Sequence, residues 1–210
     1  MLGAADRHLA PGRTSWGGAG EAIDVRLLVV VAGVPGAGKT TALRHVEAAC
    51  PDPAPRVMDT DSVRCWARAR LPRVPYPVLR PLVHCVHWIR IGVLAAIEPR
   101  PLAIHETATR PVSRAALLGI ARLTRRRARL VWIDVDAETA RRGQHDRNRV
   151  IGARSFRRHV ARVGARDPMR AVAGTWDMVW RTDRDGAVHA LLTALQTPTG
   201  PDPGGPARRA

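Results

Sequence analysis

Lysine is almost missing from this chain of 210 residues. Of its 34 basic side chains, 33 are arginine and one, Lys39, is lysine. With no lysine elsewhere, the N-K-x-D element of guanine-recognising switches cannot be present, and no L-S-G-G-Q segment of the transporter ATPase type occurs. Aromatics are scarce at 4% (six Trp, one Tyr, one Phe), so Val, Leu, Ala and Ile must build the core. The three cysteines, Cys50, Cys65 and Cys85, are odd in number and lack C-x-x-C spacing. That argues against a disulfide framework or a zinc site, and for reduced thiols in a cytoplasmic protein. Cys85 lies between His84 and His87, but no second ligand cluster accompanies it, so these read as residues of one helix. No apolar stretch of secretory type follows the N-terminal charges. The longest apolar run, Leu82 to Ile97, is interrupted by His84, His87 and Arg90, which suits a buried helix rather than a membrane span.

Positive charge is what the chain has in excess, with a formal net of +16. This fits a polyanionic partner such as RNA or DNA, an anionic small substrate, or arginine bias alone. Arg122, Arg125, Arg126, Arg127 and Arg129 cluster near an expected helix end and read first as a solvated face. A 45% hydrophobic content over this length supports one full core.

Residues 1–24 are rich in Gly, Ala and Pro without periodicity, and the tail 198–210 is rich in Pro and Gly; both are expected to be disordered. Between them, over 25–197, strand and helix patterns alternate. Strands are expected at 26–32, 56–58, 102–105, 129–135 and 176–180, and helices at 39–49, 62–69, 78–98, 113–127, 137–143, 156–163 and 186–195. The long helix is expected to bury Leu79, Leu82, Val86, Ile89, Val93 and Ile97, with Pro81 in its first turn. Alternation of this kind implies an α/β fold with a parallel sheet and right-handed crossovers. In such sheets ligands bind beyond the carboxyl ends of the strands.

After the first strand comes Gly33-Val34-Pro35-Gly36-Ala37-Gly38-Lys39-Thr40, which matches G-x-x-x-x-G-K-[ST]. Its glycines let successive N–H groups point at phosphate, and the next helix adds its positive end. Lys39 is expected on the β- and γ-phosphates of ATP and Thr40 on Mg2+, with Thr41 beside them. A compact ammonium reaches between phosphates where a forked guanidinium does not. After the second strand comes Asp59-Thr60-Asp61-Ser62-Val63-Arg64. One carboxylate there suits acceptance of a hydroxyl proton, with Arg64 one turn beyond Asp61 to hold an acceptor phosphate; equally, Asp61 suits an N-cap. The pattern leaves Asp59 and Asp61 both open as the base. After the third strand, Glu106 is placed to orient the water shell of Mg2+. After the fourth, Arg141, Arg142, Arg147 and Arg149 suit a lid over the transferring phosphoryl group, or a solvent-facing helix. Trp132 and Trp88 read as core, while Trp66 is the candidate for stacking on a base. Asp183-Arg184-Asp185-Gly186 reads as a turn.

The phosphate loop, Asp61-x-x-Arg64, an acidic strand end and an arginine-rich segment together resemble the kinase-type P-loop ATPases related to polynucleotide kinase and zeta toxin, within the AAA-family ATPase group. The resemblance covers about residues 26–196. It is nearest to small ATP-binding proteins with a His-acidic-x-x-Thr-Arg segment after the third strand, here His105 to Arg110 with Glu106 where relatives often carry aspartate. It implies a P-loop NTPase three-layer fold, a five-stranded parallel sheet in order 2-3-1-4-5 and a helical arginine-rich lid. It also implies Asp61 as general base, Arg64 as acceptor-phosphate ligand, and Arg142, Arg147 and Arg149 as lid residues. The expected activity is transfer of the ATP γ-phosphoryl to a hydroxyl of a nucleic-acid end or a small molecule. The alternatives are a nucleotide-dependent ATPase or switch, and a nucleic-acid-binding protein with nucleotide as cofactor.

Overall fold

In the structure, a computed structural model, residues 26–50, 54–145, 152–165 and 175–196 are described. In chain order the elements are β1 (Leu27–Ala32), α1 (Lys39–Ala49), β2 (Arg56–Met58), α2 (Thr60–Arg70), α3 (Tyr76–Ile97), β3 (Leu102–His105), α4 (Pro111–Leu123), β4 (Arg127–Ile133), α5 (Ala137–His145), α6 (Ala153–Ala165), β5 (Met178–Thr182) and α7 (Ala187–Gln196). The five strands form one sheet in the order β2-β3-β1-β4-β5, with every pairing parallel. The expected terminal segments, 1–24 and 198–210, lie outside the described residues, as do Arg147 and Arg149.

β1 explains its own position. All six of its residues, LLVVVA, are fully buried, as a central parallel strand covered on both faces requires. Alternation then splits it between two cores. Leu27, Val29 and Val31 pack with Leu43 and Val46 of α1 and Leu191 of α7; Leu28, Val30 and Ala32 pack with Ile91 of α3 and Leu117 of α4. Each such side chain is worth roughly 1.5–3 kcal/mol when buried. The result is a three-layer α/β/α sandwich whose central strand delivers the chain directly into residues 33–38. A smaller cluster of Val63, Ala67 and Val83 pins α2 to α3 beside that edge.

Several expectations need correction. α3 buries Leu79, Val83, His87, Ile91 and Ala95, whereas Leu82, Ile89, Val93 and Ile97 are 45–69% exposed. Two apolar stripes run along this helix, so periodicity alone does not choose between them. The stripe that ends in Ile91 and Ala95 is the one that packs on the sheet. By length and composition α3 would suffice to cross a membrane, but that buried stripe is part of the domain's own packing. Pro81 falls in the helix interior rather than the first turn; Pro77 takes the early position. α4 ends at Leu123, so Arg126 and Arg129 are not on a solvated face. Arg126 caps α3 and neighbouring loops by donating to the carbonyls of Ala95, Leu27, Arg100 and Glu98, and Arg129 donates to Ala194. Both are buried, so neither adds to a surface for polyanions. The fifth strand begins two residues later than expected, because Trp176 turns into the core and the Asp177 carboxylate accepts the Ala128 N–H before pairing starts.

Candidate active site

The carboxyl ends of β1, β2 and β3 open onto a cleft of about 710 Å³. Residues 33–38 form its floor. Gly33, Gly36 and Gly38 have φ of 138°, 95° and 101°. A Cβ at Gly36 would collide with the Ala140 carbonyl oxygen of α5, so only glycine fits that approach. Gly38 is the N-cap of α1 and contributes no side-chain cap, and the helix has no acidic residue in its first turn. Its leading N–H groups and positive end therefore face the cleft as an anion site. Pro35, Gly36, Gly38, Lys39 and Thr40 line the cleft, while Val34 and Ala37 turn back into the core. Gly33 N–H donates to Thr107 O, tying the loop to the end of β3.

Lys39 is 3% exposed, and its Nζ donates to the carbonyls of Gly33 (2.8 Å) and Val34 (2.9 Å). The ammonium is thus held by its own loop at the mouth of α1. Thr40 Oγ1 lies 3.2 Å from His105 Nδ1, which lies 3.0 Å from Asp59 Oδ1. Asp59 also accepts the Asp61 N–H at 2.9 Å, making Asp59 the N-cap of α2. Burial alone would raise the Asp59 pKa, but the hydrogen bond and charge of His105, with the Asp61 N–H and Thr40, outweigh it and hold the carboxyl well below the usual range. Asp59 is therefore an ionised carboxylate fixed beside Thr40.

Capping by Asp59 decides where Asp61 stands. Asp61 does not take the N-cap position considered for it; it sits in the first turn of α2 and lines the cleft. Arg64 lies one turn on, with its Nε 3.9 Å from Asp61 Oδ1 and its guanidinium 5.6 Å from the Tyr76 ring centroid. Glu106 is not brought to the cleft. Its Oε1 accepts from the N–H (2.9 Å) and Oγ1 (3.0 Å) of Thr107, and the carboxylate beside Thr40 is Asp59 instead. No group of three or more His, Cys, Asp or Glu suited to hold a metal occurs among the described residues. Thr40 and Asp59 nevertheless fit Mg2+, which favours oxygen donors and takes only one or two carboxylates alongside substrate phosphates and water.

The arginine-rich segment after β4 contributes differently from expectation. Arg142 is exposed on α5, with its Nη2 3.3 Å from Thr139 Oγ1, and does not line the cleft. Gly143 and Gln144 of the same helix do, and Gln144 donates to Pro35 O at 3.1 Å. Arg184 was missed altogether. It follows β5 in a turn in which the Asp183 carboxylate accepts the Gly186 N–H. From there one guanidinium nitrogen donates to both Gly36 O (2.7 Å) and Thr139 O (3.1 Å), bridging the phosphate loop to α5. It also borders a second pocket of about 460 Å³ with Thr41, His45, Asp185 and Val188. Nothing in a D-R-D-G tetrapeptide reveals this, because the partners are backbone carbonyls remote in sequence. His105 was missed too, though a histidine ending the strand beside the loop was a readable signal. Trp66 is 49% exposed, outside the cleft, with Arg70 over its ring.

The AAA domain family model matches residues 28–177. No curated protein matches the chain in sequence. Among solved structures it is similar to a gluconokinase from Sinorhizobium meliloti 1021, at 16% identity and TM-score 0.53, over 81% of this chain and 92% of that one. It is similar to the PezAT chromosomal toxin–antitoxin system of Streptococcus pneumoniae at 14% identity and TM-score 0.57, over 80% of this chain and 71% of that one. Kti12 of Chaetomium thermophilum, solved with ADP-AlF3, is similar at 16% identity and TM-score 0.52, over 80% of this chain and 98% of that one. At these identities the likeness is one of fold, the P-loop kinase-like α/β sandwich.

Proposed function

The chain belongs to the AAA domain family, and on that premise we propose that it is an ATP-dependent kinase that phosphorylates a hydroxyl group. One observation carries the reading: the phosphate loop and an acidic side chain, Asp61, open onto the same cleft. Transfer to a hydroxyl needs both, a held phosphate chain and a proton acceptor beside it.

In this reading the leading N–H groups of α1 and Lys39 hold the β- and γ-phosphates, the ammonium leaving the Gly33 and Val34 carbonyls for the phosphate oxygens. The nucleoside occupies the pocket beside Thr41, His45 and Arg184. Thr40 and Asp59 would hold Mg2+, which when bound would neutralise charge on the phosphate oxygens. Asp61 accepts the proton of the acceptor hydroxyl; the hydroxyl oxygen forms a bond to the γ-phosphorus as the bond from that phosphorus to the β–γ bridging oxygen breaks and ADP leaves. Arg64 stands beside Asp61 to hold the acceptor. The cytoplasm is the proposed compartment, in keeping with three free cysteines.

The test is incubation of the full chain with Mg·ATP labelled at the γ-phosphate and a panel of hydroxyl compounds, including 5′-hydroxyl oligonucleotides. Label should appear in an acceptor and fall by about 10²–10⁴ in Asp61→Asn with nucleotide affinity retained. Hydrolysis to inorganic phosphate with no labelled acceptor would instead establish the ATPase reading.

A further inference from the structure

Opposite the phosphate loop, the cleft wall is made by the facing sides of α2 and α3. α2 contributes Asp61, Arg64 and Arg68; α3 contributes Tyr76, Pro77, Arg80 and His84. Arg64 and Arg68 are four residues apart and share one helix face. Three guanidiniums thus converge on a bay whose only carboxylate lining, among the described residues, is Asp61. Clustering like charges is unfavourable unless an anion joins them, and arginine's planar fork matches carboxylate and phosphate oxygens. The Arg64 Nε is buried and makes no hydrogen bond, while Tyr76 fixes its guanidinium plane. Pro81 has no N–H, so the Pro77 carbonyl lacks its usual helical donor, and Pro77 itself lines the same bay. Arg80 is also felt by a histidine on α6. His159 of α6 bonds Thr109 Oγ1 at 3.0 Å, and its pKa is lowered to about 4 by burial and then by Arg162, Lys39, Arg110 and Arg80.

We infer that the bay between α2 and α3 selects a small hydroxyl compound bearing a carboxylate or phosphate, gripped by Arg64, Arg68 and Arg80 while its hydroxyl faces Asp61. This rests on the kinase reading above. Size argues against a polymer: about 710 Å³ must serve both the phosphates and the acceptor, within the roughly 300–1,000 Å³ typical of small-ligand sites. The anion is held by the arginines, and the hydroxyl meets the proton acceptor. A neutral polyol brings no counter-charge to these guanidiniums, and that difference is the source of selectivity.

The experiment reads binding without turnover. The full chain is saturated with Mg2+ and an ATP analogue carrying nitrogen between its β- and γ-phosphorus atoms, so that the phosphate loop is filled. It is then titrated calorimetrically with glycerol, glycerate, glycerol 3-phosphate and inorganic phosphate. The anionic compounds should bind at least about tenfold tighter than glycerol, the worth of one good charge-assisted contact. Arg68→Gln and Arg80→Gln, both at exposed positions, should each erase most of that advantage with the analogue's own affinity unchanged. Equal binding of neutral and anionic compounds, or anion binding insensitive to these two substitutions, would overturn the inference. So would a 5′-hydroxyl oligonucleotide that binds tighter than every small anion with a salt dependence of several phosphates. Comparison of glycerate with glycerol 3-phosphate assigns the anion. If anionic compounds bind as expected yet none is labelled from γ-labelled ATP, the kinase reading fails while the bay stands.

Discussion

Arg184 offers the sharpest check on how the phosphate loop is held. Its guanidinium reaches Gly36 O and Thr139 O, at 2.7 and 3.1 Å, from a turn beyond the last strand. A hydrogen bond from a charged donor is worth roughly 1.5–3 kcal/mol. Arg184 is only half-buried, so the pair together should contribute about 2 kcal/mol, at the low end of that range. Arg184→Met keeps the stem that lies over Gly38 and removes the donors; Arg184→Ala removes both. With a urea dependence of about 2 kcal/mol per molar, the unfolding midpoint of Arg184→Met should fall by about 1 M. Because one of the two carbonyls belongs to the loop itself, affinity for a fluorescent ATP analogue should drop about tenfold in the same variant. Arg184→Ala should be slightly worse on both counts. An Arg184→Met protein with the parental midpoint and affinity would refute the bridge as a stabilising element.

Three further outcomes follow from the site. In Gly36→Ala the new methyl meets the Ala140 carbonyl and the backbone is held at φ 95°, so nucleotide affinity should fall more than about tenfold in a fluorescence titration. Parental affinity would mean that α5 does not pack on the loop as described. Asp59→Asn should raise the Mg2+ concentration for half-maximal phosphotransfer by about 10–100-fold, whereas Asp61→Asn should lower kcat and leave that requirement in place; the reverse pattern would exchange their roles. His159 takes up its proton near pH 4 when folded and near its ordinary 6.5 when unfolded. Between those values the unfolded chain binds more protons, so stability must fall as pH drops through the window. Melting curves from pH 7 to 4.5 should show a loss that shrinks by about 2–4 °C in His159→Gln, and an identical pH dependence in both proteins would contradict it.

The fold was legible where local chemistry and global position coincide. The six-residue apolar run before the glycine loop could be nothing but a central strand, and the loop itself carries spacing that few other contexts produce. Legibility failed where two readings satisfy the same pattern. α3 carries apolar residues on two stripes, and only the sheet beneath it decides which is covered. Asp59 and Asp61 are two residues apart and equally acidic; what separates them is that Asp59 turns to cap α2 and meet His105, a contact across 46 positions. The arginines show the same limit from the other side. In sequence Arg126, Arg129, Arg142 and Arg184 are interchangeable cations, yet two fill core cavities by bonding carbonyls, one faces solvent, and one braces the phosphate loop.

The single lysine has a consequence in covalent chemistry. The chain's whole stock of side-chain amine is one nitrogen, 3% exposed and clasped between two carbonyls at the head of α1. Any acylating reagent or acetyl-transferring enzyme that works on lysine therefore has a single address here, and it is the phosphate-gripping group itself. Modification at one atom would neutralise the site, and a nucleotide seated on the loop would shield it. Arginine everywhere else leaves no second lysine to compete, so acylation located at Lys39, and told apart from that of the α-amine, measures how often that loop stands open.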